Sequence, residues 1–443
     1  MLDKTLAIIL AGGVGSRLHP LTAHRAKPAV PFGGNYRIID FTLTNCLHSG
    51  LRRVLVLTQY KSHSLQKHLR DGWAIFNPEI SEYITLVPPQ MRTGESWYSG
   101  TADAIRQNLY LLERSNANHV LILSGDHIYR MDYAAMLQFH REQGAELTIA
   151  CMSVPLASAS SFGIMSVDDA HRIREFHEKP KNPKPLPNDP HRALASMGIY
   201  IFNMDLLCRE LQSDHLLTAS SHDFGKDIIP RLIEMHCVYA YRFGGETGRV
   251  TPDRYWRDVG TIDSYYAANM DLLAKPPPLN LYQPDWPIRT YHGQHPPARM
   301  APGPHGHEGQ LVNSQLGSGT VVSGGTVRHS ILFPQVQVDE NAIVEDSILF
   351  DGVHVGAGAH LKRCIVDKNV QIPPGERIGF DAIADAARFA VSESGIIVVP
   401  KGYRFLTNAL HSLVDQATAL SLPDITALDK EMMDSKPKGC CDN

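Results

Sequence analysis

The sequence predicts an α/β protein in which a doubly wound sheet domain is followed by a parallel β-helix. Three observations carry this. From Met1 to about Ala274, strand-length apolar runs alternate with helical patterns, the signature of β-α units. From Lys275 to Gln310 nine prolines fall within 36 residues, including Pro276-Pro277-Pro278, which reads as an extended linker with no packed element. Beyond it, Ile343, Leu349, Val355 and Leu361 fall six apart, and Val366, Ile372 and Ile378 resume the interval after a five-residue step. Val321 and Val327 share it, and the small residues of Val355-Gly356-Ala357-Gly358 fill the corners, as expected when each side of a coil contributes one inward residue. The expected boundaries are 1–274, 275–310 and 311–424, followed by a polar tail, 425–443, that ends Cys440-Cys441-Asp442-Asn443.

The first element is the strand Leu6-Ala7-Ile8-Ile9-Leu10-Ala11, which breaks into Gly12-Gly13-Val14-Gly15-Ser16-Arg17-Leu18. Three glycines within four residues let the backbone approach a ligand, and a phosphate is the obvious one. No Walker string occurs in the chain, and Leu18 stands where the dinucleotide fingerprint needs its third glycine. What remains pairs the backbone N–H groups of Gly12, Gly13 and Gly15 with two cations, Arg17 and Lys27, and suits a polyphosphate. A structural turn with a solvated Arg and Lys is the alternative on this stretch alone.

Val54–Leu57, Val120–Leu123 and Leu147–Cys151 have the continuous hydrophobicity of strands covered on both faces. Thr101 to Glu113 places Ile105, Leu109 and Leu112 on one helical face, with Asp103 in the first turn, and a second helix near Asp132 to Gln143 ends at Gly144. Further on, Asp381 to Ser392 reads as a helix and Ile396 to Val399 as a strand. Ligands of such sheets bind beyond the carboxyl ends of the strands.

Asp126, in Ser124-Gly125-Asp126-His127, follows the most hydrophobic run. A carboxylate there must be hydrogen-bonded or hold a cation, and beside a phosphate loop that cation is Mg²⁺; a cap on the next turn is the alternative. Asp258, in Trp256-Arg257-Asp258-Val259-Gly260-Thr261, offers a second carboxylate or an N-cap. Glu178-Lys179-Pro180 ends another strand, where successive side chains face opposite ways, so separate ligand contacts are expected rather than a salt bridge. Lys179 as a solvated lysine is the alternative. Ser196-Met197-Gly198 starts the next strand, and Trp97-Tyr98-Ser99-Gly100-Thr101 could stack on and hydrogen-bond a sugar or base.

A net charge of −4 argues against nucleic-acid or anionic-membrane partners. No apolar run approaches the ~18 residues of a membrane span. Seven scattered cysteines without CxxC spacing read as reduced thiols of a cytoplasmic protein, and the 22 histidines show no metal-ligand spacing.

Leu10-Ala11-Gly12-Gly13, Arg25-Ala26-Lys27-Pro28, Trp97 to Ala104, Gly125 to Tyr129, Glu178-Lys179-Pro180, Ser196 to Tyr200, Ser221 to Asp227, Tyr255 to Thr261 and Trp286 to Tyr291 together resemble the bacterial ADP-glucose pyrophosphorylases over nearly the whole chain. The resemblance implies a Rossmann-like nucleotidyltransferase domain (GT-A-like, with a mixed or parallel sheet) followed by a left-handed parallel β-helix. It also implies adenylyl transfer from ATP to glucose 1-phosphate, which releases diphosphate and supplies the glucosyl donor of glycogen synthesis. By resemblance, Arg17 and Lys27 hold the ATP phosphates, and Asp126 with Asp258 holds Mg²⁺. Tyr98, Gly163, Glu178, Lys179 and Ser196 hold glucose 1-phosphate, and Gln59 and Gly100 lie near the adenine. The family is a homotetramer with a sugar-phosphate activator and an AMP-type inhibitor, and Arg37, Arg114 and Arg363 match its AMP-contacting arginines. The chain departs from enteric members at Val14, His24 and Pro31, and His24 and Pro31 are effector-site positions, so the identity of its effector does not carry over. Rival readings are a pyrophosphorylase for another base or sugar, an acyltransferase built on the β-helix, and a non-catalytic regulatory subunit; the presence of Arg17, Lys27 and Asp126 opposes the last.

Overall fold

The computed structural model describes residues 2–90, 97–245, 249–250 and 254–405. Its first domain is a nine-stranded sheet. Tyr83–Val87, Arg53–Thr58, Thr5–Ala11 and His119–Ser124 lie side by side and parallel. Along Thr5–Ala11 the side chains divide by parity: Leu6 and Ile8 enter one core, and Ala7, Ile9 and Ala11 the other. This two-faced burial is why the run is continuously apolar.

The sheet is mixed, not built from parallel units throughout. Arg192–Asn203 runs antiparallel to His119–Ser124, Leu147–Pro155 and Gly163–Val167, and Ile173–Glu178 pairs antiparallel with Gly163–Val167. The connections from Gly163 to Asn203 contain no helix: Gly163–Val167 and Ile173–Glu178 form a hairpin, and Arg192–Asn203 returns to the other side of Gly163–Val167. Ser196 accordingly lies inside its strand, which starts at Arg192, and a bulge separates it from Tyr200.

The helix expected from Thr101 to Glu113 is two, Thr101–Arg106 and Leu109–Arg114. Asn108 breaks it: its amide donates to the Ala104 carbonyl and to the Tyr98 hydroxyl, competing with the helical ladder. Tyr133–Glu142 forms as expected, capped by Asp132. Ala382–Arg388 and Ile397–Val399 fall where a helix and a strand were expected.

The proline-rich stretch is a packed strap, not a free linker. Leu279, Trp286, Ile288 and Thr290 are buried, Trp286 donates its indole N–H to Asn45, and Thr290 donates to Asp40. Proline prevents regular structure, yet the aromatic and aliphatic residues between the prolines still have apolar surface to bury. The β-helix also begins before residue 311, because Arg299–Ala301 already pairs with Val321–Ser323.

Three parallel ladders build the β-helix, with Ile331, Ile348 and Ile365 stacked 17 residues apart. The inward residues are Val338, Val344, Leu349, Val355, Leu361, Val366, Ile372 and Ile378. Ile343 and Val321 therefore face outward beside the true inward residues, Val344 and Val322, because one side of each coil is a residue shorter than a strict six-residue period and a one-residue offset flips the face. One flank is apolar on both faces: Leu332, Leu349 and Val366 point in, whereas Ile331, Ile348 and Ile365 join one apolar cluster with Leu18, Val30, Phe32 and Phe41 of the first domain. The two domains thus share a core. Residues 406–443, which include the expected tail, lie outside the described residues.

Candidate active site

The strand Thr5–Ala11 delivers Gly12 to Gly15 to the mouth of a cleft of about 210 Å³ lined by the loop, Arg17, Lys27, Pro28, Asp126 and Gly260. Gly15 takes φ +65°, a conformation costly for a side chain. A β-carbon at Gly13 would meet no protein atom within 4 Å, so the protein itself does not require glycine there, and the open backbone faces the cleft.

Lys27 opens a short turn, Lys27–Ala29, that Pro28 pre-sets. It is 7% exposed, and such a lysine needs a partner. It has two: Nζ donates to Asp126 Oδ2 at 2.8 Å and to Asp258 Oδ1 at 3.2 Å. Burial pulls the Lys27 ammonium down, but the two carboxylates outweigh it and hold its pKa above the ordinary value. Burial likewise pushes Asp126 up, and Lys27, His127 and the Ser124 hydroxyl outweigh it, holding the carboxyl well below the usual range. Asp126 is thus ionised at neutral pH. It caps no helix, since His127–Tyr129 is a strand, and the cap ahead of Ile262–Met270 is Thr261, not Asp258.

Asp258 and Arg17 converge over Gly260, where a β-carbon would lie 3.0 Å from Asp258 Oδ2 and 3.2 Å from Arg17 Nη2. Ligand atoms of Asp126, His127 and Asp258 all lie within 4.8 Å of one another. Two carboxylates in reach of one point, beside the glycine loop, are a donor set that fits Mg²⁺. His127 was invisible to ligand spacing because the third residue is contributed by pairing of two short strands, His127–Tyr129 with Trp256–Asp258.

A second group forms where Ile173–Glu178 ends. Lys179 leaves the strand with φ +47°, so its side chain turns back and Nζ sits 3.1 Å from Glu178 Oε1. The expectation of separate contacts assumed that strand alternation continued through Lys179, and it does not. Gly163 and Gly225 flank the Glu178 carboxylate: β-carbons there would lie 2.9 and 2.5 Å from its Oε2. Gly198 lies near the ring of His127, the residue after Asp126, and Ser196 Oγ accepts from the Gly198 N–H at 3.2 Å.

Gly100 meets the backbone of 221–222 so closely that a β-carbon would lie 2.2 Å from the His222 carbonyl oxygen. Tyr98 is held by Asn108, and Asp103 accepts from the Ser99 N–H, fixing the segment that carries both. Gln59 follows its strand and lies against Gly12. Asp223 and Gly225 sat in a motif whose role the sequence did not reveal; the glycine two residues after a capping aspartate was the available signal.

The arginines expected to face an effector lie on separate elements. Arg37 donates to the Ser64 carbonyl, Arg363 to the Ser394 carbonyl, and the Arg114 guanidinium lies 5.8 Å from the centre of the Tyr110 ring. His24 is exposed.

Residues 6–275 match the nucleotidyl transferase family model, and residues 296–399 match the GlmU-like C-terminal hexapeptide model, in keeping with a left-handed β-helix. Among curated proteins the chain is 61% identical over 406 residues to glucose-1-phosphate adenylyltransferase 2 of Vibrio cholerae, covering 92% of this chain and 100% of the relative. It is 62% identical to the protein of that name in Vibrio parahaemolyticus, covering 91% and 100%. It is 50% identical to glucose-1-phosphate adenylyltransferase of Yersinia pseudotuberculosis, covering 90% and 94%. The chain therefore belongs to the nucleotidyl transferase family and, within it, to the glucose-1-phosphate adenylyltransferases.

Proposed function

We propose that the chain transfers the adenylyl group of ATP to α-D-glucose 1-phosphate, releasing diphosphate and forming ADP-glucose, the glucosyl donor for glycogen synthesis. The convergence of Lys27 and Arg17 on Asp126 and Asp258 at the mouth of the glycine loop carries this reading. The loop N–H groups and Arg17 would bind the triphosphate, with Gln59 and Gly100 near the base. Asp126 and Asp258 would hold Mg²⁺, which when bound supplies charge neutralisation on the phosphates. Lys179 and Glu178, with Tyr98, Gly163 and Ser196, would hold the sugar phosphate so that its oxygen faces the α-phosphorus. That oxygen is ionised at pH 7, so no general base is needed: the new P–O bond forms as the bond to the diphosphate oxygen breaks, and positioning with charge neutralisation supplies the catalysis.

The test is release of diphosphate from each nucleoside triphosphate with each sugar 1-phosphate in Mg²⁺. ATP with glucose 1-phosphate is expected to give the highest rate, and a higher rate with another pair would overturn the reading. Within it, K179Q is expected to raise the KM for glucose 1-phosphate strongly and leave that for ATP nearly unchanged.

The same proposal includes a cytoplasmic homotetramer controlled by a sugar-phosphate activator and an AMP-type inhibitor. Free cysteines 46, 151, 208, 237 and 364 suit a reducing setting, and no helix among the described residues is long and apolar enough to cross a membrane. The closeness of Arg25, Arg37 and Lys368 at the domain boundary supports an anion site there; His24, Arg114 and Arg363 lie on other elements and enter the proposal by their correspondence to family positions alone. A flat kinetic response to fructose 1,6-bisphosphate, fructose 6-phosphate, pyruvate and AMP would defeat it.

A further inference from the structure

Away from the reacting groups, the loop between Met204–His215 and the Phe224–Ile228 turn is anchored by a carboxylate that the chemistry does not use. Asp214 closes its helix with a side chain only 3% exposed. Its Oδ1 accepts from the Ser220 hydroxyl at 2.8 Å, and its Oδ2 accepts from His222 Nδ1 at 2.7 Å. A carboxylate only accepts, so Nδ1 carries the proton. The Ser220 hydroxyl oxygen also accepts from the His222 N–H at 3.0 Å, so one buried carboxylate grips residue 222 by both ring and backbone. His222 needs that grip because its φ is +56°, a region that non-glycine residues visit at a cost of about 1 kcal/mol or more.

The strained residue is a bracket between the two sides of the sugar-phosphate group. Its carbonyl accepts from the Ala102 N–H at 2.9 Å, at the start of the helix that follows Tyr98 and Gly100. One residue on, Asp223 accepts from the Thr101 hydroxyl at 3.1 Å and caps the turn that places Gly225 against Glu178. Residues 220–225 therefore fix both the Tyr98 segment and the Glu178 carboxylate; Gly100, on the adenine side of that segment, also packs on the His222 carbonyl, while none of the Asp214–His222 contacts reaches the glycine loop, Arg17 or Lys27.

We propose that His222, held by Asp214, is a positioning residue for the glucose 1-phosphate half of the site. This rests on the assignment of Glu178 and Lys179 to that substrate. Losing the imidazole releases the left-handed backbone at residue 222. Thr101 and Gly225 then lose their fixed partners, and the two walls of the sugar-phosphate subsite separate.

The discriminating pair is H222A and H222N. Asparagine tolerates the left-handed conformation and places a side-chain N–H on the same atom of the branch as histidine Nδ1, so it can still donate to Asp214. H222A is expected to raise the KM for glucose 1-phosphate about tenfold and the KM for ATP by no more than about threefold, the latter through Gly100, and H222N to restore most of the loss. Equal rises for both substrates, or failure of H222N to improve on H222A, would overturn the proposal. K179Q assayed in parallel separates the two levels. If K179Q raises the glucose 1-phosphate KM and H222A does not, the positioning role is wrong; if K179Q leaves it unchanged, the substrate assignment is wrong.

Discussion

Arg25 and Asp367 form an ion pair 2.8 Å long across the domain boundary, with side chains 5% and 2% exposed. It lies beside the apolar contact between the two domains, two residues before Lys27. A buried pair contributes little relative to an apolar replacement, but breaking it strands a charge. The second guanidinium nitrogen, Nη1, already lacks a partner, so Arg25 has little to fall back on. D367A is expected to destabilise the protein by about 3–5 kcal/mol and to lower turnover through displacement of Lys27. The double variant R25M/D367L is expected to be more stable than D367A. Denaturant unfolding of the three proteins checks this, and a D367A enzyme as stable as wild type would refute it.

Asp126 touches both Lys27 and the point where Asp258 and His127 converge. D126N keeps the shape and removes the charge. We expect turnover to fall by a factor of about 100 or more, equivalent to about 3 kcal/mol of barrier, with the fold retained by circular dichroism. Mn²⁺ binding followed by electron paramagnetic resonance is expected to weaken in parallel. A near wild-type rate at saturating Mg²⁺ would remove Asp126 from the reaction.

Two glycines at the site are present for different reasons, and alanine separates them. At Gly100 a β-carbon would meet the His222 carbonyl oxygen at 2.2 Å, so the backbone must move and stability is expected to fall by about 1–3 kcal/mol. At Gly13 nothing lies within 4 Å, so G13A is expected to change stability by less than about 0.5 kcal/mol yet raise the KM for ATP. Thermal midpoints and ATP saturation curves for the two variants check the split.

His140 is 1% exposed, and burial depresses its pKa to about 4. Nε2 donates to the Asn203 side-chain amide oxygen, and in the neutral ring Nδ1 accepts from the Thr148 hydroxyl. The folded value lies below the unfolded one of 6.5, so the stabilisation is complete above pH 6.5 and is lost as the pH falls from there toward 4. By linkage the loss reaches about 2 kcal/mol at pH 5. H140Q should be less stable than wild type at pH 7.5, and the gap should narrow by that amount at pH 5. A gap independent of pH would mean that His140 does not titrate on unfolding.

Much of the site could be read along the chain because its parts sit at strand ends, where a glycine loop, a Gly-Asp and a Glu-Lys-Pro are each contiguous. The proximity of Asp126 to Asp258 could not, since 132 residues separate them and the pairing of two three-residue strands joins them. His127 entered the cation cluster by the same pairing. The ion pair of Glu178 with Lys179 depended on a single backbone angle at the strand end, which no residue pattern encodes.

What the sequence by itself determined is local and periodic: the two-domain order, the glycine loop, the carboxylates at strand ends and a solenoid of roughly six-residue steps. Hydrophobic period and glycine placement act through nearest-neighbour geometry, so they survive without the fold. Tertiary structure alone decided the mixed sheet, the 17-residue coil that turns Val344 inward instead of Ile343, the docking of the strap through Trp286, and the shared core of Ile331, Ile348 and Ile365 with Phe32 and Phe41. Each depends on which distant surface covers an apolar side chain, and that choice is made by the free energy of burying it against a particular partner.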